Sequence, residues 1–127
     1  MLTLAEIVAI SRHLRSGRVA SYMNLAPLRD LRDPSTPAPV AADAQGRSAQ
    51  RFVVDVRVER AGQVRHAHAS GQDIYAVSAP LIVEAMERVV AGEVAAPGAW
   101  AAGEAFDAKA FLASLAPQAF SVRVDGD

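Results

Sequence analysis

Residues 51–70 read Arg51-Phe52-Val53-Val54-Asp55-Val56-Arg57-Val58-Glu59-Arg60-Ala61-Gly62-Gln63-Val64-Arg65-His66-Ala67-His68-Ala69-Ser70, and this stretch decides the fold class. Phe52, Val54, Val56 and Val58 alternate with Val53, Asp55, Arg57 and Glu59, the two-residue period of a strand with unlike faces. Ala61-Gly62 marks the turn, and Gln63 to Ser70 forms the return strand. A loop of two or four residues sets Val58 against Arg65, Val56 against Ala67 and Val54 against Ala69. The opposite face then pairs Arg57 with His66 and Asp55 with His68. A bulge would shift this register.

Downstream of the hairpin, Asp73 has the chemistry of an N-cap for a helix running to about Ala91 and closed by Gly92. Val77, Leu81, Ala85 and Val89 form its apolar row, which Ile82 and Met86 widen. Pro80 is compatible with this helix if it falls near the start, where few backbone bonds depend on its missing N–H. Pro97 to Gly103 reads as a loop, with the single tryptophan, Trp100, anchoring it. Asp107 caps a third helix that ends before Pro117, with Phe106 and Phe111 at the spacing of a hydrophobic staple. Phe120 to Val124 alternates as a final strand.

Upstream, Thr3 and Glu6 have capping-box spacing and Leu2 with Ile7 forms a staple, announcing a helix over about residues 4–16 with Gly17 as its C-cap. Val19 to Asn24 reads as a short strand. Leu25 to Gln50 carries Pro27, Pro34, Pro37 and Pro39 and reads as a loop far longer than most connections, a segment suited to cover a neighbouring surface. The order of helix, strand, loop, hairpin, two helices and strand predicts one α+β domain over residues 1–127, a small antiparallel or mixed sheet with helices packed on one face.

Composition narrows the functional classes. The 127 residues carry a net charge of −1 and no cysteine. Nucleic acid and anionic membrane are therefore not expected as partners, and disulfides, thiol nucleophiles and cysteine-bound metals are excluded. No basic segment followed by an apolar run resembles a signal peptide, and no stretch has the length of a membrane span, so the cytoplasm is expected. There is no glycine-rich strand-to-helix turn for a dinucleotide, no phosphate loop and no nucleophile elbow.

What remains are binding groups. Arg47, Arg51, Arg57 and Arg65 cluster at the end of the long loop and on the hairpin. They are suited to hold a carboxylate through paired hydrogen bonds, although a solvated strand face balanced by Asp55 and Glu59 accounts for them as well. His66 and His68 point to one face, where Asp55 can join them. With His13 as a remote nitrogen donor they offer a transition-metal set, but no third ligand is specified and ordinary pairing with Asp55 and water is the simpler reading, so no metal is expected. Tyr75 offers a hydroxyl to a ligand or a ring to the core. Asp73 is read as a structural cap.

Gly71-Gln72-Asp73-Ile74-Tyr75, continued by Ala76-Val77-Ser78-Ala79-Pro80, resembles the G-x-D-x-Y-x-x-[ST]-A stretch of saccharopine dehydrogenase-like proteins. In that family it joins the last strand of a hairpin to a long helix. Gly98-Ala99-Trp100-Ala101-Ala102-Gly103-Glu104-Ala105-Phe106-Asp107, followed by Phe111-Leu112, is similar to the family's closing pattern. Gly46-Arg47-Ser48-Ala49-Gln50-Arg51-Phe52 resembles the run ahead of the hairpin in bacterial members. The resemblance spans about residues 3–116 and rests on the order and spacing of the three motifs.

It implies a domain forming one wall of a substrate cleft and often a subunit interface. Arg47, Arg51, Arg57, His66, His68 and Tyr75 are then the candidate contacts to a small-molecule substrate. The nicotinamide cofactor, NAD or NADP, would sit on a separate Rossmann domain of the same or a companion chain, so no cofactor contact falls here and no catalysis by this chain alone is expected. A homo-oligomer is also implied. The alternative is a free-standing, non-catalytic binding or oligomerisation module of the same fold. The oxidoreductase reading expects an apolar or arginine-lined surface left open on this chain.

Overall fold

A computed structural model describes residues 5–94 and 96–125. The hairpin is its centre. Strand β1 (Arg51–Arg60) pairs antiparallel with β2 (Gln63–Gln72), and β3 (Ser121–Val124) adds to the far side of β2, giving the order β1-β2-β3. The loop is the two residues Ala61-Gly62, both with positive φ, at 50° and 77°. This geometry matches the twist of the flanking strands. The register is the expected one, with Val58 opposite Arg65, Val56 opposite Ala67, Val54 opposite Ala69, Arg57 opposite His66 and Asp55 opposite His68. The return strand runs two residues past Ser70, because Gly71 and Gln72 still pair with Phe52 and Arg51.

Helix α1 covers Ala5–His13. Arg15, at φ 49°, makes the left-handed turn beyond it, rather than Gly17. Leu2 and Thr3, on which the proposed staple and capping box rest, lie outside the described residues. Val19 to Asn24 is not a strand. Strands need a partner as well as a pattern, and the register of the sheet includes none for this segment. The stretch expected to be structureless contains helix α2 (Ala26–Arg32), with Pro27 in its first turn, where its missing N–H costs nothing.

Helix α3 (Ile74–Val90) starts where Asp73 caps it, and α5 (Ala108–Leu115) starts where the Asp107 carboxylate accepts from the Ala110 N–H at 2.8 Å. Pro80 lies inside α3 rather than in its first turn, so the helix forgoes one of its backbone bonds there. The Phe106 and Phe111 rings stack at 5.2 Å, as their staple spacing suggests. A single turn, α4 (Ala102–Ala105), replaces the end of the expected loop, and the Trp100 Nε1–H donates to the Ala96 carbonyl at 2.9 Å.

Helix α3 packs against β2 and α5 packs against α3. Arg88 on α3 bonds Glu84 at 2.7 Å and lies 5.4 Å from the centre of the Phe111 ring on α5. The Ser114 hydroxyl and then Arg88 hold Glu84 below the ordinary glutamate range. The result is an α+β fold on a three-stranded antiparallel sheet.

Only Val77 and Phe120 are buried apolar residues among those described, at 5% and 8% exposure. Around Phe120 the packing is close. A methyl group added at Gly71 would come within 2.7 Å of the Phe52 ring and 3.2 Å of the Phe120 Cβ. Toward the turn the packing opens. Val54, Val56 and Val58, which share the apolar face of β1, are 49%, 46% and 53% exposed. Ile82, Val83, Met86 and Val90 on α3 are exposed as well. The chain's accessible surface is 10226 Å², whereas a compact monomer of this mass exposes about 6,500 Å².

Candidate functional site

At the open end of the hairpin a polar network ties the preceding loop to the start of α3. Asp43 accepts from the Gln45 and Arg47 N–H groups at 3.0 Å each, from Arg47 Nε at 2.7 Å and from Gln72 Nε2 at 3.2 Å. Gln72 Nε2 also donates to the Ser48 carbonyl at 2.9 Å. The Asp73 carboxylate accepts from the Ser48 N–H at 2.7 Å with one oxygen and from the Tyr75 and Ala76 N–H groups at 3.1 and 3.2 Å with the other. The Asp73 N–H donates to the Gln50 carbonyl at 2.7 Å. Backbone donors stabilise the ionised forms. The Arg47 N–H holds Asp43, and the Ser48 and Ala76 N–H groups hold Asp73, below the ordinary aspartate range.

This network has a simple sequence logic. Ser48 and Asp73 are buried, and each satisfies the polar atoms of the other, as burial demands. Asp73 therefore caps α3 as expected and also fastens a loop 25 residues upstream. Two of the three motifs quoted above, residues 46–52 and 71–80, meet here.

Beside the network lies a cleft of about 430 Å³. Arg47 and Arg51 enter it from one side, Ser70 and Gln72 from β2, and Pro117 to Ser121 close the other. The Ser70 and Ser121 hydroxyls are 2.9 Å apart. Arg47 is committed to Asp43, while Arg51 makes no ion pair among the described residues. The lining offers a guanidinium, an amide and hydroxyls around the Phe52 ring, a set able to hold a small carboxylate-bearing molecule. Among the described residues, none of those lining it is a carboxylate, imidazole, amine or phenol.

The other candidates lie elsewhere. Arg57, His66 and His68 share a sheet face with Arg51 by register, nearer the turn and outside the cleft. Arg57 is bonded to Glu59 at 2.9 Å, and His68 Nδ1 lies 2.6 Å from Asp55 Oδ1. His13 is beside Glu104, at 3.9 Å, rather than with the other histidines. Among the described residues no three His, Cys, Asp or Glu side chains are placed to hold a metal ion. Tyr75 stands 70% exposed in the first turn of α3, away from the cleft. Arg65 falls on the valine face, opposite Val58.

The sequence reading missed Arg123 and the Asp43–Gln72 pair. Arg123, opposite His68 on β3, adds a further cation to the polar sheet face, and the short final strand held the only clue to it. Gln72 and Asp43 are 29 residues apart, a separation at which no local pattern signals contact. Searches of protein-family models, curated proteins and solved structures found no match to this chain.

Proposed function

We propose that this chain is the substrate-side domain of a saccharopine dehydrogenase-like, NAD(P)-dependent oxidoreductase. It works in the cytoplasm beside a Rossmann domain of its own or a companion chain, and it is not catalytic alone. The observation that carries the reading is the open apolar surface. The chain exposes 10226 Å², about 3,700 Å² beyond a compact monomer of its mass, and the Val54, Val56 and Val58 face and the outer stripe of α3 contribute to it. Apolar faces of this kind mark surfaces that meet another protein unit.

In this reading the Rossmann domain packs on the valine face and carries the nicotinamide, while the cleft at Arg51, Gln72 and Ser70 holds the carboxylate end of the substrate. Among the described residues, the lack of carboxylate, imidazole, amine and phenol groups in that cleft fits a division of labour in which the other domain brings the reacting atoms. The order of motifs along residues 46–52, 71–80 and 98–112 adds to this reading.

The test is the native species in the source organism. An antibody against this domain identifies it in lysate, and nicotinamide binding to the purified species is followed by fluorescence. A protein well above 13.4 kDa that binds NAD(P)H, or a 13.4 kDa chain purifying with a nicotinamide-binding subunit, supports the proposal. A species that binds no nicotinamide and has no such companion overturns it.

A further inference from the structure

We propose that two copies of this chain join through the outer edge of β1, antiparallel about a two-fold axis at Val56, with Asp55 of each copy opposite Arg57 of the other. Strand β1 is the edge of the sheet, and every residue from Val53 to Arg60 is exposed. No backbone hydrogen bond from outside the hairpin reaches it among the described residues beyond its junction with the loop. A long, unpaired edge of this kind is a template for another strand.

Geometry and charge together select the occupant and the register. In a hairpin with a two-residue loop, the pair flanking the loop, Arg60 and Gln63, is a hydrogen-bonded one, and such pairs alternate along the strands. The N–H and C=O groups of Val58, Val56 and Val54 therefore turn toward β2, and those of Val53, Asp55, Arg57 and Glu59 turn outward. A second β1 must meet outward residues with outward residues, and the registers that keep well over half of the strand paired are centred on Val54, Asp55, Val56 or Arg57. Centring on Val54 sets Arg51 of each copy opposite Arg57 of the other, and centring on Asp55 sets two carboxylates opposite each other. Centring on Arg57 sets two guanidiniums opposite each other and Asp55 against Glu59. Centring on Val56 places Asp55 opposite Arg57 twice, Val54 opposite Val58 twice and Val56 opposite itself.

Only the last register has no like-charge pair, and opposite charges directly across a sheet are favourable where like charges are not. It forms about eight new backbone hydrogen bonds and joins the valines of both copies into one apolar ridge. The His68–Asp55 contact of 2.6 Å and the Arg57–Glu59 contact of 2.9 Å then continue across the junction as an alternating series. The pairing uses the edge of the sheet and leaves its face open, so it stands or falls separately from the oxidoreductase reading.

Sedimentation velocity and charge reversal test it. The native chain is expected at twice 13.4 kDa. Asp55→Arg and Arg57→Asp should each be monomeric when alone, and an equimolar mixture should return to dimer, because each interface position then meets its opposite. The chain has no cysteine, so Val56→Cys supplies a single thiol. On the axis it should oxidise to a covalent dimer, since non-hydrogen-bonded pairs sit within disulfide reach. Circular dichroism confirms that each variant is folded before it is scored. A monomeric native chain, a mixture that stays monomeric, or faster cross-linking by Asp55→Cys or Arg57→Cys than by Val56→Cys would overturn the proposal.

Discussion

At the open end of the hairpin, Asp43, Ser48, Gln72 and Asp73 satisfy one another's polar atoms, and Phe52 and Phe120 close over Gly71. At the turn end, the same two strands carry Val54, Val56, Val58 and Val64 half in water. One region is finished by its own residues and the other is not. Hydrogen bonds within a buried network need every partner present to be favourable, so the first region has little tolerance for change. Half-exposed valines have already given up much of what burial offers, so the second has a good deal.

The largest effect should come from removing the hub. Asp73→Ala deletes the α3 cap and strands the Ser48 N–H, and the melting midpoint followed by circular dichroism should fall by about 5–10 °C. A fall as small as that of a surface substitution would break the comparison at its root. The same carboxylates set the acid limit. Their folded-state pKa values lie below the ordinary value of 3.8, so their stabilisation is complete above that value and is lost as pH falls through the folded pKa. Stability should hold at mildly acidic pH and fall below about pH 4, and Asp73→Asn should flatten that fall in acid titrations.

Gly71→Ala comes next. Its new methyl group meets the Phe52 ring and the Phe120 Cβ, and the strain should cost about 1–2 kcal/mol in denaturant unfolding. At the turn, Ala61 occupies a left-handed conformation that suits asparagine better. Ala61→Asn should therefore stabilise by about 0.5–1 kcal/mol. The smallest effect belongs to the open face. Val56→Thr should change the stability of the separated chain by less than about 1 kcal/mol, and a loss comparable to that of Gly71→Ala would mean that the face is not open.

What the sequence showed in advance follows the range of the forces involved. The hairpin register was legible because a two-residue loop and a period of two leave one pairing. Helices α3 and α5 were legible because Asp73, Asp107, Phe106 and Phe111 act within a turn or so of where they stand. The supposed strand at Val19 to Asn24 failed because a strand is completed by a distant partner that the pattern cannot reveal. Helix α2 was hidden by Pro27, which reads as a breaker until its place in the first turn is known. Of the six candidate contacts, Arg47 and Arg51 come together at the cleft because loop and strand are contiguous there. Arg57, His66 and His68 share only a sheet face, and the Asp43–Gln72 bond depends on folding that no spacing encodes.

The close fit of Phe52 over Gly71 also constrains how this domain can vary through descent. Because the ring occupies the space where a side chain at position 71 would begin, the two positions behave as one site inherited in two places. A lineage that acquires a side chain at 71 keeps the fold by shrinking the residue at 52, whereas a lineage that keeps the glycine is free to retain the ring. Among relatives, a small residue at 52 should accompany a larger one at 71, and that joint substitution would identify members of this fold even where little else of the sequence survives.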